Sequence, residues 1–187
     1  MEASGKTAIK FSWTKSKIAD GFDIFLTRCN VETTKDDCEL IKTVKASSGK
    51  LSWTKKGLKK GKSYKGYVKA YKMIDGQKVY IAESFLGHCL TNNQDKKLTN
   101  VKTVKLKKKS MKVKVGKTAK IKGTKLVKFV NKKKINDHVT KLRYATSDSD
   151  IATVSKKGKI KGIKKGKCTI YVISPNGAYA MLKVTVK

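Results

Sequence analysis

The strongest constraint on the fold is that apolar and polar residues alternate along the chain with the two-residue period of a β-strand. The clearest runs are AIKFSW (8–13), YVKAYK (67–72), KVKVGKTAKIKG (112–123) and LKVTVK (182–187). Such alternation places apolar side chains on one face of a sheet and polar side chains on the other. Helical periodicity is absent from the sequence, which therefore predicts an all-β protein.

Turn signals separate these runs. Asp75-Gly76 falls inside YKMIDGQKVYI, and SPNGA (174–178) falls near the end of the chain. An Asp-Gly or Asn-Gly pair favours a hairpin turn because the central residues need positive φ. The polar stretch TNNQDKK (91–97) has no apolar periodicity and predicts a boundary. Many short strands at close spacing predict two tandem β-sandwich domains, at 1–93 and 96–187.

The net charge of +33 is extreme and unevenly placed. Residues 1–95 carry 18 basic and 10 acidic side chains, and residues 96–187 carry 28 and 3, which gives net charges of +8 and +25. Only Arg28 and Arg143 are arginines. Because lysine lacks the planar fork that reads guanine edges, sequence-specific binding of nucleic acid is not expected.

The sequence also limits membrane and catalytic functions. It contains no apolar run near the roughly 18 residues that span a bilayer, and its first residues lack the apolar core of a signal peptide. We expect any export signal to lie outside these residues. His88 and His138 are the only histidines, and neither has a nucleophile or acid at a recognisable spacing. We therefore expect no enzyme activity, cofactor or metal site, and we expect SDSD (147–150) to be a turn rather than a calcium loop.

Residues 6–90 resemble a fibronectin type III domain of the kind found in secreted bacterial proteins. The resemblance implies core positions at Trp13, Phe22, Ile24, Leu26, Leu58, Tyr64, Val68 and Ala70. Gly66 departs from the family, which usually has a bulky residue at that inward position. We expect Tyr67 or Trp53 to fill the gap, or the strand to bulge there.

Residues 98–187 resemble a bacterial immunoglobulin-like group 2 domain. The signature residues are Tyr144, Ser147, Asp148, Ile151 to Val154, Gly158, Ile160, Gly162, Ile163, Gly166, Cys168, Ile170 and Val172. The resemblance implies that the apolar members, including Ile151, Ile160 and Ile163, face the core. It leaves the outward positions to lysine.

Seven lysines fall within residues 155–167, and a second group lies further upstream. One interpretation is a solvated strand face. The other is binding of a polyanion, because alternate residues on a strand lie about 6.7 Å apart, within the Debye length of about 8 Å at physiological salt. The candidate contacts are Lys105, Lys107, Lys108, Lys109, Lys156, Lys157, Lys159, Lys161, Lys164, Lys165 and Lys167.

Four cysteines leave the redox state open. Cys29 and Cys38 flank a polar loop between two strand-like runs and are candidates for a disulfide across a hairpin. Such a bridge would contribute roughly 2 to 3 kcal/mol on the loop-entropy model. The alternative is that all four are reduced apolar residues, which suits Cys168 on its apolar strand.

The two resemblances imply a non-catalytic module of a secreted or cell-surface protein of Gram-positive bacteria. We expect adhesion or spacer domains that present or tether an activity at the cell wall or host surface, in an extracellular or surface location and as a monomer. One alternative is a lysine-rich module that binds teichoic acid, an anionic glycan or, without sequence specificity, nucleic acid. Another is binding of a host protein such as an immunoglobulin.

Overall fold

A computed structural model describes residues 1–30, 32–137 and 141–187. These residues form nineteen strands and two 3-10 turns, Ala46–Ser48 and Thr91–Asn93. The predicted all-β class is confirmed. Among the same residues, no helix has the length and apolar character needed to cross a bilayer.

Contacts divide the chain into two compact units. Unit 1 comprises Met1–Asn100 and Lys132–Val139, and unit 2 comprises Val101–Asn131 and Thr140–Lys187. The domain boundaries inferred from the sequence, 1–93 and 96–187, stay a prediction.

Unit 1 consists of two antiparallel sheets and a short parallel strand pair. Its strands are β1 (Glu2–Ala3), β2 (Ile9–Ser12), β3 (Gly21–Arg28), β4 (Glu39–Lys45), β5 (Ser52–Lys55), β6 (Ser63–Ile74), β7 (Gln77–Glu83), β8 (Gly87–Leu90), β9 (Leu98–Thr99) and β14 (Lys134–Ile135). One sheet has the order β1-β2-β5. The other has the order β4-β3-β6-β7, with β8 also paired to β6, while β9 pairs with β14 in parallel.

The core of unit 1 lies between these two sheets. Phe22, Ile24 and Leu26 alternate along β3 and are buried together with Ile9 and Phe11 of β2. The predicted inward positions on β3 are confirmed, and so are Leu58, Tyr64 and Val68, which belong to the same buried cluster. Alternation places one apolar face of each sheet against the other, as in a β-sandwich.

Tyr64 ties the start of β6 to the preceding turn. Its hydroxyl oxygen accepts a hydrogen bond from the backbone N–H of Lys59 at 3.0 Å. A buried tyrosine that bonds back to the backbone a few residues upstream is a feature of immunoglobulin-like sandwiches. Trp13 follows directly after β2 and packs, partly buried, against the core.

The predicted hairpin at Asp75-Gly76 is confirmed. These two residues connect β6 to β7 and have φ of 50° and 75°. Positive φ at both central positions is the geometry of the tight hairpin turn that an Asp-Gly pair favours.

The space beside Gly66 is occupied by Phe11, a residue that the sequence analysis did not select for this position. A Cβ at this position would lie 2.6 Å from the carbonyl oxygen of Phe25 and 3.0 Å from the ring of Phe11. Gly66 pairs regularly with Leu26 of β3 and Gly87 of β8, without a bulge. The expectation that Tyr67, Trp53 or a bulge occupies this gap was therefore wrong, because Phe11 of the facing sheet packs directly over the glycine.

Unit 2 also contains two principal sheets. Its strands are β10 (Val101–Lys105), β11 (Ser110–Val113), β12 (Thr118–Lys120), β13 (Lys125–Lys128), β15 (Arg143–Thr146), β16 (Ala152–Val154), β17 (Lys159–Gly162), β18 (Gly166–Ile173) and β19 (Tyr179–Val186). One sheet has the order β11-β19-β18-β15 and the other β12-β17-β16, while β10 pairs with β13.

Both principal sheets contribute to the core of unit 2. Ile160 of β17 is buried in one cluster with Cys168 and Ile170 of β18 and Val184 of β19. Ile151 and Val154 pack against this cluster, partly buried. These inward assignments are confirmed. Ile163 is 41% exposed, so its predicted core position was wrong: it lies in the turn that carries the chain from one sheet to the other.

The hairpin predicted at residues 174–178 joins β18 to β19. The N–H of Ser174 donates to the carbonyl oxygen of Ala178 at 2.8 Å, and Gly177 has φ of 88°. Asn176 is buried, and its side chain accepts the N–H of Val101 at 2.9 Å and donates to the carbonyl oxygen of Val101 at 3.0 Å. The Asn176 side chain thus bonds both backbone groups of Val101 in β10, as a neighbouring strand would.

The close packing at Gly66 gives a test of the unit 1 core. Replacing Gly66→Ala should destabilise the full chain by roughly 1 to 3 kcal/mol, since the added methyl overpacks a fixed carbonyl and a fixed ring. Urea unfolding followed by circular dichroism measures this change. Ser47→Ala, at an exposed position, should leave the midpoint nearly unchanged. Equal stability of Gly66→Ala and the original chain would contradict the packing described here.

Candidate functional site

All eleven lysines predicted to contact a polyanion are exposed. They are Lys105, Lys107, Lys108, Lys109, Lys156, Lys157, Lys159, Lys161, Lys164, Lys165 and Lys167. Three ion pairs occur in the part of the chain that the structure describes, Lys10–Glu2, Lys35–Glu83 and Lys78–Asp23, and all three lie in unit 1. None of these three ion pairs involves one of the eleven predicted lysines.

The lysine-rich segment 156–167 does not form one surface. Lys159 and Lys161 project outward from β17 on either side of the inward Ile160. Lys167 projects outward from β18, beside the inward Cys168. Since β17 and β18 belong to opposing sheets whose inner faces share one core, these outward lysines lie on opposite sides of the sandwich.

The remaining lysines of this segment lie in turns. Lys156 and Lys157 occupy the turn between β16 and β17, where Ser155 Oγ accepts the N–H groups of Lys157 and Lys159 at 3.3 and 3.1 Å. Lys164 and Lys165 lie in the turn from β17 to β18. The segment thus distributes positive charge around the domain rather than concentrating it.

The upstream group lies at the end of β10 and in the link to β11. Lys105 is the last residue of β10, and Lys107, Lys108 and Lys109 belong to the link. The side-chain stem of Lys107 lies against Gly123, where a Cβ would be 2.9 Å from the Lys107 Cβ.

Two lysines that the sequence analysis did not select complete cross-strand pairs of like charge. Lys120 of β12 lies opposite Lys159 of β17, and Lys125 of β13 lies opposite Lys105 of β10. Directly opposed residues of an antiparallel pair have Cβ atoms about 5 Å apart, and like charges there are destabilising. The alternating run 112–123 contained the signal for Lys120, but the strand pairing was needed to place it beside Lys159.

All four cysteines are free thiols in this structure. Cys29 follows β3 and Cys38 precedes β4, so the two flank a hairpin connection as expected. Cys38 donates to the carbonyl oxygen of Lys65, and burial raises the pKa of its thiol to about 11. The disulfide between Cys29 and Cys38 stays a prediction for oxidising conditions. Cys168 lies buried on β18, as predicted.

His88 is fully buried on β8, and its Nε2 lies 3.3 Å from Asn136 Nδ2. His138 lies outside the described residues.

The SDSD segment forms the predicted turn. Asp148 Oδ1 accepts the backbone N–H groups of Asp150 and Ile151 at 3.0 and 3.3 Å, which is an aspartate side chain bonding to its own turn. In the described part of the chain, no group of three or more His, Cys, Asp or Glu side chains lies close enough together to hold a metal ion.

These features of unit 2 agree with a comparison of protein families. Residues 100–184 match the model of the bacterial Ig-like domain (group 2). This stretch is a bacterial Ig-like domain. The match confirms the resemblance inferred from the sequence for the second half of the chain and, since it covers less than half of the residues, identifies that half alone. A comparison with curated proteins gives no match.

Solved structures give distant likenesses. The S-layer protein rSbsC is 15% identical with a TM-score of 0.35, covering 100% of this chain and 40% of that chain. A C-terminal fragment of intimin, solved in complex with the intimin-binding domain of its translocated receptor, is 15% identical with a TM-score of 0.29, covering 96% and 57%. This chain spans less than two thirds of either protein. At these scores the likenesses say nothing about what it binds.

The opposed pair Lys120–Lys159 generates a prediction. Lys120→Glu should raise the free energy of unfolding by roughly 0.2 to 1 kcal/mol at low salt, because a cross-strand repulsion becomes an attraction. Thermal unfolding in 0.02 M and 0.5 M salt measures this change in stability. The increase should be smaller in the higher salt, because salt screens the attraction.

Lys108→Glu is the matched control, since it makes the same charge change in the same unit at a link residue without an opposed lysine. An equal gain for both variants would show that net charge, and not this pair, sets the effect.

Proposed function

We propose that this chain is a non-catalytic module of a secreted or cell-surface bacterial protein, in which two immunoglobulin-like sandwiches serve as spacer and adhesion domains. The single observation that carries this proposal is the bacterial Ig-like domain at residues 100–184. Unit 1 fits a fibronectin type III-like sandwich, with one sheet of three strands, a second built on β4-β3-β6-β7, and the bonded Tyr64.

The distribution of charge supports a spacer role. Lysines of unit 2 project from both sheets and from the turns between them. Positive charge on all sides makes neighbouring copies repel one another and keeps them soluble and separate. A module that holds an activity away from a surface benefits from this property, and it is consistent with the expected monomer.

Surface digestion tests the proposed location. Protease added to intact cells of the organism that carries the protein should release peptides from both units, because both would be exposed outside the cell. A cytoplasmic marker protein, which must stay intact, controls for lysis. Complete protection of this chain until the cells are lysed would overturn the proposal.

Non-specific association with polyanions is the second candidate, and the exposure of all eleven predicted lysines supports it. Contacts of this kind act by release of counterions and need no dedicated pocket. Because the lysines occupy both outer faces of unit 2, we propose that either face contributes to such binding.

Two matched variants test this two-faced binding. One replaces Lys120, Lys159 and Lys161 with Gln, and the other replaces Lys112, Lys167 and Lys183 with Gln, which alters the opposite sheet. Each should lower the slope of log affinity for long-chain heparin against log salt by a similar amount, up to roughly one unit for each lysine removed. Loss of binding in one variant with no change in the other would contradict the two-faced binding and indicate a site on a single face.

A further inference from the structure

Unit 1 contains a cleft of about 1050 Å³, and Cys29 is the one residue among its described lining that the sequence analysis selected. Four segments of unit 1 form it: the end of β3, the turn and first residue of β6, the link through residues 92–98, and β14. The lining residues are Arg28, Cys29, Lys60, Gly61, Lys62, Ser63, Asn92, Gln94, Asp95, Lys96, Lys97, Leu98, Lys133 and Lys134.

The cleft is more strongly cationic than unit 1 as a whole. Seven of the fourteen lining residues are basic and one, Asp95, is acidic. Asp95 Oδ1 accepts the backbone N–H groups of Lys97 and Leu98 at 2.7 and 2.6 Å. Its carboxylate is thus bound to its own loop. The side chains of Lys62, Lys97 and Lys134 are exposed.

Hydrogen bonds hold the walls of the cleft in place. The N–H of Cys29 donates to the carbonyl oxygen of Ser63 at 2.9 Å, and the N–H of Lys62 donates to Thr91 Oγ1 at 3.1 Å. The N–H of Lys134 donates to the carbonyl oxygen of Lys97 at 3.2 Å. Lys133 Nζ donates to Gln94 Oε1 at 2.6 Å. The basic side chains therefore start from fixed backbone positions, which lowers the cost of ordering them around a ligand.

The basic side chains of this cleft converge on one concavity, unlike the lysines on the surface of unit 2. There, outward lysines diverge from two opposing sheets, whereas here Arg28, Lys62, Lys97 and Lys134 come from distant parts of the sequence and line one concavity. A concave wall of one sign focuses the electric field and raises the local concentration of counter-ions. An anion with several charges placed in it would meet contacts from more than one wall.

The chemistry of the lining favours an anionic carbohydrate over a nucleic acid. The described residues that line the cleft include no Phe, Tyr or Trp, and stacking on aromatic rings is a main source of affinity for single-stranded nucleic acids. Among the same lining residues, only Arg28 has a guanidinium group. Ser63, Asn92 and Gln94 supply neutral polar groups suited to sugar hydroxyls.

We propose that the cleft of unit 1 binds an oligosaccharide segment that carries two or more sulfate or phosphate ester groups. The ester groups contact the basic side chains of the four segments, and the hydroxyls contact the neutral polar side chains. This site goes beyond the proposed spacer function and does not depend on it.

Binding of short probes to the full chain tests the proposal. The probes are a heparin-derived tetrasaccharide and a synthetic tetrasaccharide that carries phosphate esters, which distinguish sulfate from phosphate sources, and each is titrated by calorimetry. Replacing Lys62, Lys97 and Lys134 with Gln should weaken binding of the preferred probe by roughly tenfold or more, about what three partly exposed ion pairs contribute. Replacing the same three with Arg should retain most of the binding.

The matched control replaces Lys15, Lys17 and Lys50 with Gln, three exposed lysines of unit 1 that do not line the cleft. This variant and the unit 2 variants above should change affinity for the short probes less than about twofold, since their lysines do not contact the ligand. Equal losses in the control and cleft variants, or no binding of either probe by the original chain, would overturn the proposal. So would tighter binding of a ten-nucleotide single-stranded DNA through the cleft lysines.

Discussion

The burial of one face of each strand holds unit 2 together against its own charge. Ile160, Ile170, Leu182 and Val184 are almost completely buried, and full burial of such a side chain contributes roughly 1.5 to 3 kcal/mol. An opposed pair of lysines costs about 0.2 to 1 kcal/mol. Because burial exceeds repulsion residue by residue, the strands accept lysine at outward positions such as Lys159, Lys161 and Lys167. The charge of the domain is therefore a property of its surface and places little demand on its fold.

A second constraint, in unit 1, is that a buried polar group needs hydrogen-bond partners. Asp23 is fully buried and accepts hydrogen bonds from Lys78 Nζ at 2.8 Å, Thr43 Oγ1 at 2.6 Å and Tyr80 Oη at 2.9 Å. Burial alone would raise the pKa of Asp23, but these donors lower it overall. Burial and the bond to Asp23 raise the pKa of Tyr80 to about 12. A carboxylate with three donors can lie beneath a sheet face without destabilising it.

The period of two in the sequence was sufficient to predict the all-β class, and the Asp75-Gly76 pair predicted a hairpin, because these features depend on neighbouring residues. The family resemblances placed Phe22, Ile24 and Ile170 in cores. They placed Ile163 wrongly, since a local pattern of apolar residues does not show where a chain leaves one sheet for another. The division of the lysine-rich segment between two faces follows from that same change of sheet. The cleft of unit 1 could not be predicted, because it joins residues such as Arg28 and Lys134 that are far apart in the sequence.

Lys120 lies on β12, at the edge of its three-stranded sheet. An edge strand has unpaired backbone groups and can template pairing with another chain, and an exposed lysine is a common barrier to such pairing. The charge that opposes folding within one molecule thus also opposes sheet-to-sheet aggregation between molecules. Concentrated salt screens both effects at once. Conditions that make the single domain more stable therefore also make its sheet edges more available to other copies.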